Sequence, residues 1–94
     1  MATSKEKMSE YLEKAQTIQR MAMGIVDVSI ETTIVKGGES SIKVYVYPLD
    51  SECSLIRDEE YKVVNYKYEF REWDTQEAND KQLKGLVSIQ KTLL

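Results

Sequence analysis

The sequence predicts a single compact α+β domain over residues 1–94: a helix, a three-stranded antiparallel meander and a second helix, with both helices packed on one sheet face. Two observations carry this. Val26, Val28 and Ile30, then Ile42, Val44 and Val46, then Val64, Tyr66, Tyr68 and Phe70 alternate with polar residues, as strands buried on one face require. On either side of them, apolar residues recur at the three-and-four spacing of amphipathic helices.

The first helix is expected over residues 4–22, with Met8, Tyr11, Leu12, Ala15, Ile18 and Ala22 on its buried face. Thr3 followed by Glu6 fits a capping box, in which hydroxyl and carboxylate each satisfy an orphaned N–H. Glu10 and Lys14 stand at the i, i+4 spacing of a surface ion pair. Gly24 ends the helix and permits the turn into the first strand.

From Ile25 to Val35 the period is two, with Asp27, Ser29, Glu31 and Thr33 interleaved on the opposite face. Gly37 and Gly38 supply the positive backbone angles of a hairpin turn. The second strand runs from Ile42 to Tyr47 and stops at Pro48, which has no N–H for a ladder. A third strand is expected from Tyr61 to Arg71, after a connection of about a dozen residues, long for a compact domain. The second helix begins at Asp74 or Thr75, with Asp74 and Glu77 repeating the capping pattern. Its buried stripe reads Ala78, Leu83, Leu86, Val87, Leu93 and Leu94; Glu77 with Lys81 and Asp80 with Lys84 form ion-pair spacings on its surface. Gly85 costs the helix roughly 1 kcal/mol relative to Ala, which a close approach to the sheet would explain. No internal repeat is read from the sequence.

Apolar residues make up 41% and charged residues 31%, a folded composition and not that of a disordered chain. The lone Cys53 excludes an intrachain disulfide, and no apolar run approaches the length of a membrane helix, so a cytoplasmic protein is expected. A net charge of −3 offers no general attraction to nucleic acid or anionic lipid. The negative charge gathers in two places, residues 50–60 and residues 72–80.

The chain has no histidine, which removes the commonest general base and metal ligand together. Cys53 has Glu52 and Asp50 as acidic neighbours and lacks the cationic surroundings of a nucleophilic thiolate. Asp58, Glu59 and Glu60 lack the alternating spacing and turn glycine of a calcium loop. Asp27 and Glu31 lie four apart on a strand, ~13 Å, too far for paired-carboxylate chemistry. Lys36 to Ser41 resembles a phosphate loop only in composition, since no helix follows to contribute its dipole. No catalytic residue, metal site or cofactor is therefore expected.

What stands out is the outward row of the second strand, where Tyr45 and Tyr47 make a supposedly wet face aromatic. Leu49, Leu55, Ile56 or Trp73 could fold over them within the chain, or a partner could. The interface candidates are Tyr45, Tyr47, Trp73, Leu55 and Ile56, serving a homodimer or a larger protein partner. An accessory or inhibitor protein of a phage or mobile element fits this profile. The alternative is a nucleic-acid-binding module using Lys43, Tyr45, Tyr47, Lys67 and Arg71, with Asp27, Glu31 and Glu69 on the same face opposing it. A third reading is a small-ligand pocket under residues 49–60. The element order is shared with double-stranded RNA-binding domains, but those present lysines where this chain has Glu77, Ala78, Asn79 and Asp80, and membership is not inferred.

Overall fold

The structure, a computed structural model, describes residues 2–94. Its elements follow the expected order: α1 (Lys5–Met21), β1 (Val26–Ile34), β2 (Ser40–Pro48), β3 (Tyr66–Arg71) and α2 (Gln76–Leu93). The strands form one antiparallel sheet with β2 in the middle, Val28 facing Val46 and Val44 facing Tyr68. Both helices cover the face that carries this row. The Tyr11 ring of α1 stacks on Phe70 with centroids 4.7 Å apart, a geometry worth ~1 kcal/mol beyond the area it buries. Gly85 of α2 lies against the Tyr68 ring, the close approach its position in a helix requires. Met8, Ala15, Ile18, Val28, Val44, Val46 and Leu86 complete the core.

Three local readings are corrected. Ser4, not Thr3, caps α1, its hydroxyl accepting from the Lys7 N–H at 3.2 Å. Thr3 is buried instead, donating to the Asp74 carbonyl at 2.9 Å and accepting from Asn79 Nδ2 at 2.7 Å. The buried line of α2 is turned by about one residue: Asn79, Leu83, Leu86 and Leu93 face the core, while Ala78 and Leu94 are exposed. Hydrophobicity favoured Ala78, but a polar Asn79 is buried because every hydrogen bond it can make to the β3 edge is made: Nδ2 also donates to the Arg71 carbonyl at 2.9 Å, and Oδ1 accepts from the Arg71 N–H at 3.0 Å. Gln82 Oε1 accepts from the Glu69 N–H at 3.2 Å, so α2 side chains close this sheet edge. Third, among the described residues Glu10, Glu77 and Asp80 do not pair with the lysines four positions on; Lys7 meets Glu10 at 3.1 Å, and Asp80 accepts the Tyr11 hydroxyl at 2.7 Å.

The inward row of β1 is buried at Val26 and Val28 only, and Ile34 is 75% exposed, because the β1–β2 hairpin runs past the helices. β3 begins at Tyr66 rather than Tyr61. In register, Pro48 would face Val64, since Val46 faces Tyr66. Pro48 has no N–H to offer, and Ile56 enters instead: its N–H donates to the Pro48 carbonyl at 2.9 Å, and the Val64 N–H donates to the Ile56 carbonyl at 2.9 Å.

The connection that Ile56 belongs to is ordered as two successive tight hairpins, which the sequence reading did not anticipate. Asp50 N–H donates to the Ser54 carbonyl and Cys53 N–H to the Asp50 carbonyl; eight residues on, Asp58 with Lys62 and Tyr61 with Asp58 repeat both bonds. Asp50 Oδ1 accepts from the N–H groups of Glu52 and Ser54, and Asp58 Oδ1 from those of Glu60 and Lys62. The fourth residue of each turn is left-handed, Cys53 at φ 63° and Tyr61 at φ 64°. The β1–β2 turn makes the same two bonds with Gly38 in that position, at φ 86°. The glycine made the first turn legible; Cys53 and Tyr61 concealed the other two.

Candidate functional site

The uncovered face of the sheet is the face opposite both helices, and strand alternation fills it with Asp27, Ser29 and Glu31 from β1, Lys43, Tyr45 and Tyr47 from β2, and Lys67, Glu69 and Arg71 from β3. Tyr45 and Tyr47 are two apart on the central strand, and their rings stack with centroids 6.3 Å apart and planes within 9°. Both are half-buried. Lys67, paired across from Tyr45, holds its ammonium 5.8 Å from the Tyr45 ring centroid. The tyrosines therefore shield one another and take a cation from the neighbouring strand.

Charge around this aromatic centre is balanced, three acids (Asp27, Glu31, Glu69) against three bases (Lys43, Lys67, Arg71). Two of the bases, Lys67 and Arg71, are already matched. Lys43 lies in register between Glu31 and Glu69, Lys67 is 3.8 Å from Glu69, and Arg71 pairs with Glu69 and lies 3.9 Å from Asp74. A phosphate backbone would have to compete with Glu69 for both Lys67 and Arg71.

The other interface candidates do not join the tyrosines equally. Leu55 and Ile56 are brought to the Pro48 end of β2, the end at which Tyr47 lies, and remain 36% and 40% exposed. Trp73 follows β3 at the other end, beyond the Ser41 and Arg71 pair, roughly 20 Å along the strand from Tyr47. It is 42% exposed and stacks on neither tyrosine, so it does not form the cover considered for them.

Residues 49–55 fold beside the end of α1. Met23, Gly24, Val26, Leu49, Cys53 and Leu55 border an open concavity of about 450 Å³, with Cys53 Sγ 3.7 Å from the Gly24 carbonyl. Asp27 is the one ionisable carboxylate on its wall, so it offers apolar contact and no acid–base pair. Among the described residues no group of three or more metal-ligating side chains comes together, and no helix is long and apolar enough to cross a membrane.

Two structural features escaped the sequence reading. The paired turns had a visible signal, Asp50 with Glu52 recurring eight residues later as Asp58 with Glu60. The second is a lysine-edged groove between the helices, for which linear spacing carried the wrong signal, assigning Lys84 to Asp80. Comparison with protein-family models, with curated proteins and with solved structures finds no match to this chain.

Proposed function

We propose that the chain is a non-enzymatic protein-binding module whose uncovered sheet face, centred on Tyr45 and Tyr47, seats a protein partner, either a second copy or a larger protein that it accompanies or inhibits. The observation that carries this reading is the stacked Tyr45–Tyr47 pair on the middle strand, on the face away from both helices, inside a ring of balanced charges. Aromatic anchors surrounded by polar residues that exclude water are the usual arrangement of binding energy in protein interfaces. A cytoplasmic setting goes with this reading. The contact of Lys67 with Tyr45 favours nucleic acid as a second reading, which the pairing of Lys67 and Arg71 with Glu69 weakens.

The test is a photo-crosslinking amino acid placed at Tyr45, with exposed Glu13 on α1 as the control position, irradiated in cells of the natural source. A protein adduct at position 45 that is absent at position 13, or a crosslinked dimer, supports the proposal. Equal adducts at both positions overturn it. Retention of single-stranded oligonucleotides at low salt, lost on Tyr45→Ser, moves the assignment to nucleic acid.

A further inference from the structure

A second surface, separate from the tyrosines, lies on the helix side. Asp80, Leu83, Lys84, Val87 and Lys91 follow one line of α2 and, with Lys7 of α1, border an open groove of about 550 Å³. The line covers about three helical turns, ~16 Å. Because the core takes the neighbouring line through Asn79 and Leu86, Val87 is left half-buried in the groove wall beside Leu83.

The lysines at its edge are not neutralised alike. Lys7 meets Glu10 at 3.1 Å, but Asp80, the carboxylate four residues before Lys84, accepts the Tyr11 hydroxyl instead. Among the described residues neither Lys84 nor Lys91 has a carboxylate within ion-pair distance. The groove edge thus carries three lysines and one carboxylate, Asp80, which keeps its charge while it accepts the Tyr11 hydroxyl, and Lys84 and Lys91 are its two cations without an ion pair. Their separation is two helical turns, ~10.5 Å, which is also the separation of carboxylates seven residues apart on another helix.

We infer that this groove binds an acidic amphipathic helix of a partner protein. Its apolar side chains pack on Leu83 and Val87, and two carboxylates seven residues apart face Lys84 and Lys91. The chemistry is that of helix-in-groove recognition, in which apolar contact supplies affinity and flanking charges select the partner.

The probe is a fluorescein-labelled helical peptide about the length of α2, with leucines on one face and glutamates seven apart beside them, and a sequence isomer that scatters the same residues. In anisotropy titrations the ordered peptide is expected to bind at least about tenfold tighter than its isomer, with affinity falling as salt rises. The K84E/K91E variant is expected to lose about tenfold or more for this peptide and to gain affinity for the version carrying lysines in place of glutamates. That reversal of preference can be scored only on a folded variant. Equal binding of the two isomers, or unchanged affinity in K84E/K91E, overturns the inference. Palmitate binding without peptide binding, or a concentration-dependent dimer abolished by K84E/K91E, also overturns it, giving the groove to a fatty acid or to a second copy.

Discussion

The Tyr68 ring lies so close to Gly85 that Cε1 would stand 2.6 Å from a Cβ at that position. Gly85 is therefore a packing residue in the middle of α2, and the aromatic ring of β3 occupies the space an alanine would need. Gly85→Ala gains roughly 1 kcal/mol of helix propensity but forces a rigid ring to move, which typically costs 1–3 kcal/mol, so a net loss of about 1 kcal/mol is expected. In a Tyr68→Leu background the same change is expected to stabilise. Urea unfolding of the four proteins reads the reversal as a coupling between the sites.

Asn79 joins three pieces of chain: it bonds the N–H and carbonyl of Arg71 and the hydroxyl of Thr3. Asn79→Leu adds apolar surface yet leaves the Arg71 N–H without a partner, while the Arg71 carbonyl and the Thr3 hydroxyl each lose one bond and keep one to Asp74, and a loss of ~1–3 kcal/mol is expected in denaturant unfolding. Hydrogen exchange at the Arg71 amide is expected to accelerate as that edge opens.

Tyr61 holds a left-handed backbone conformation at φ 64° while its side chain is 82% exposed. Tyr61→Gly removes the left-handed cost of an L-residue and loses little packing, so a gain of ~0.5 kcal/mol is expected after the extra entropy of glycine in the unfolded chain. Glu60→Gly, one position earlier in the same turn, is expected to lower stability. Thermal unfolding of the pair separates a conformational effect from a general tolerance of glycine.

Glu72 is held below the usual carboxylate range, first by the Ser40 N–H at 3.1 Å and then by the Lys5 ammonium at 3.1 Å. The unfolded chain then binds a proton more readily than the folded one. Its contribution is present above pH ~4.3 and lost as pH falls through the lower folded value, and Glu72→Gln is expected to flatten this acid limb. At the other end, burial and then the bond to Asp80 push the Tyr11 phenol up, and burial does the same for Tyr68. The folded chain keeps these protons where the unfolded chain loses them, so stability is expected to fall as pH rises above ~10. Tyr11→Phe is expected to reduce that alkaline slope and leave the part due to Tyr68. Urea midpoints measured across the pH range check both limbs.

The element order, the face buried by each strand and the core line of α1 were legible because periodicity alone carries them. Val28, Val44 and Phe70 cannot change face without moving their whole strand by one residue. The candidate face was legible for the same reason, since Tyr45 and Tyr47 share the parity opposite Val44 and Val46. How the two rings relate to each other and to Lys67 was not, because that depends on cross-strand register.

What the sequence determined by itself is this: helix, meander, helix, one face buried and one face carrying two tyrosines. The tertiary structure alone decided that Asn79 is buried in place of Ala78, that Asp80 serves Tyr11 and leaves Lys84 unmatched, and that Ile56 enters where Pro48 cannot pair with Val64. Each is a choice of partner between groups distant in the chain. Local spacing ranks the neighbours within a few residues, whereas a buried hydrogen-bonding group takes whichever partner the packed elements bring to it.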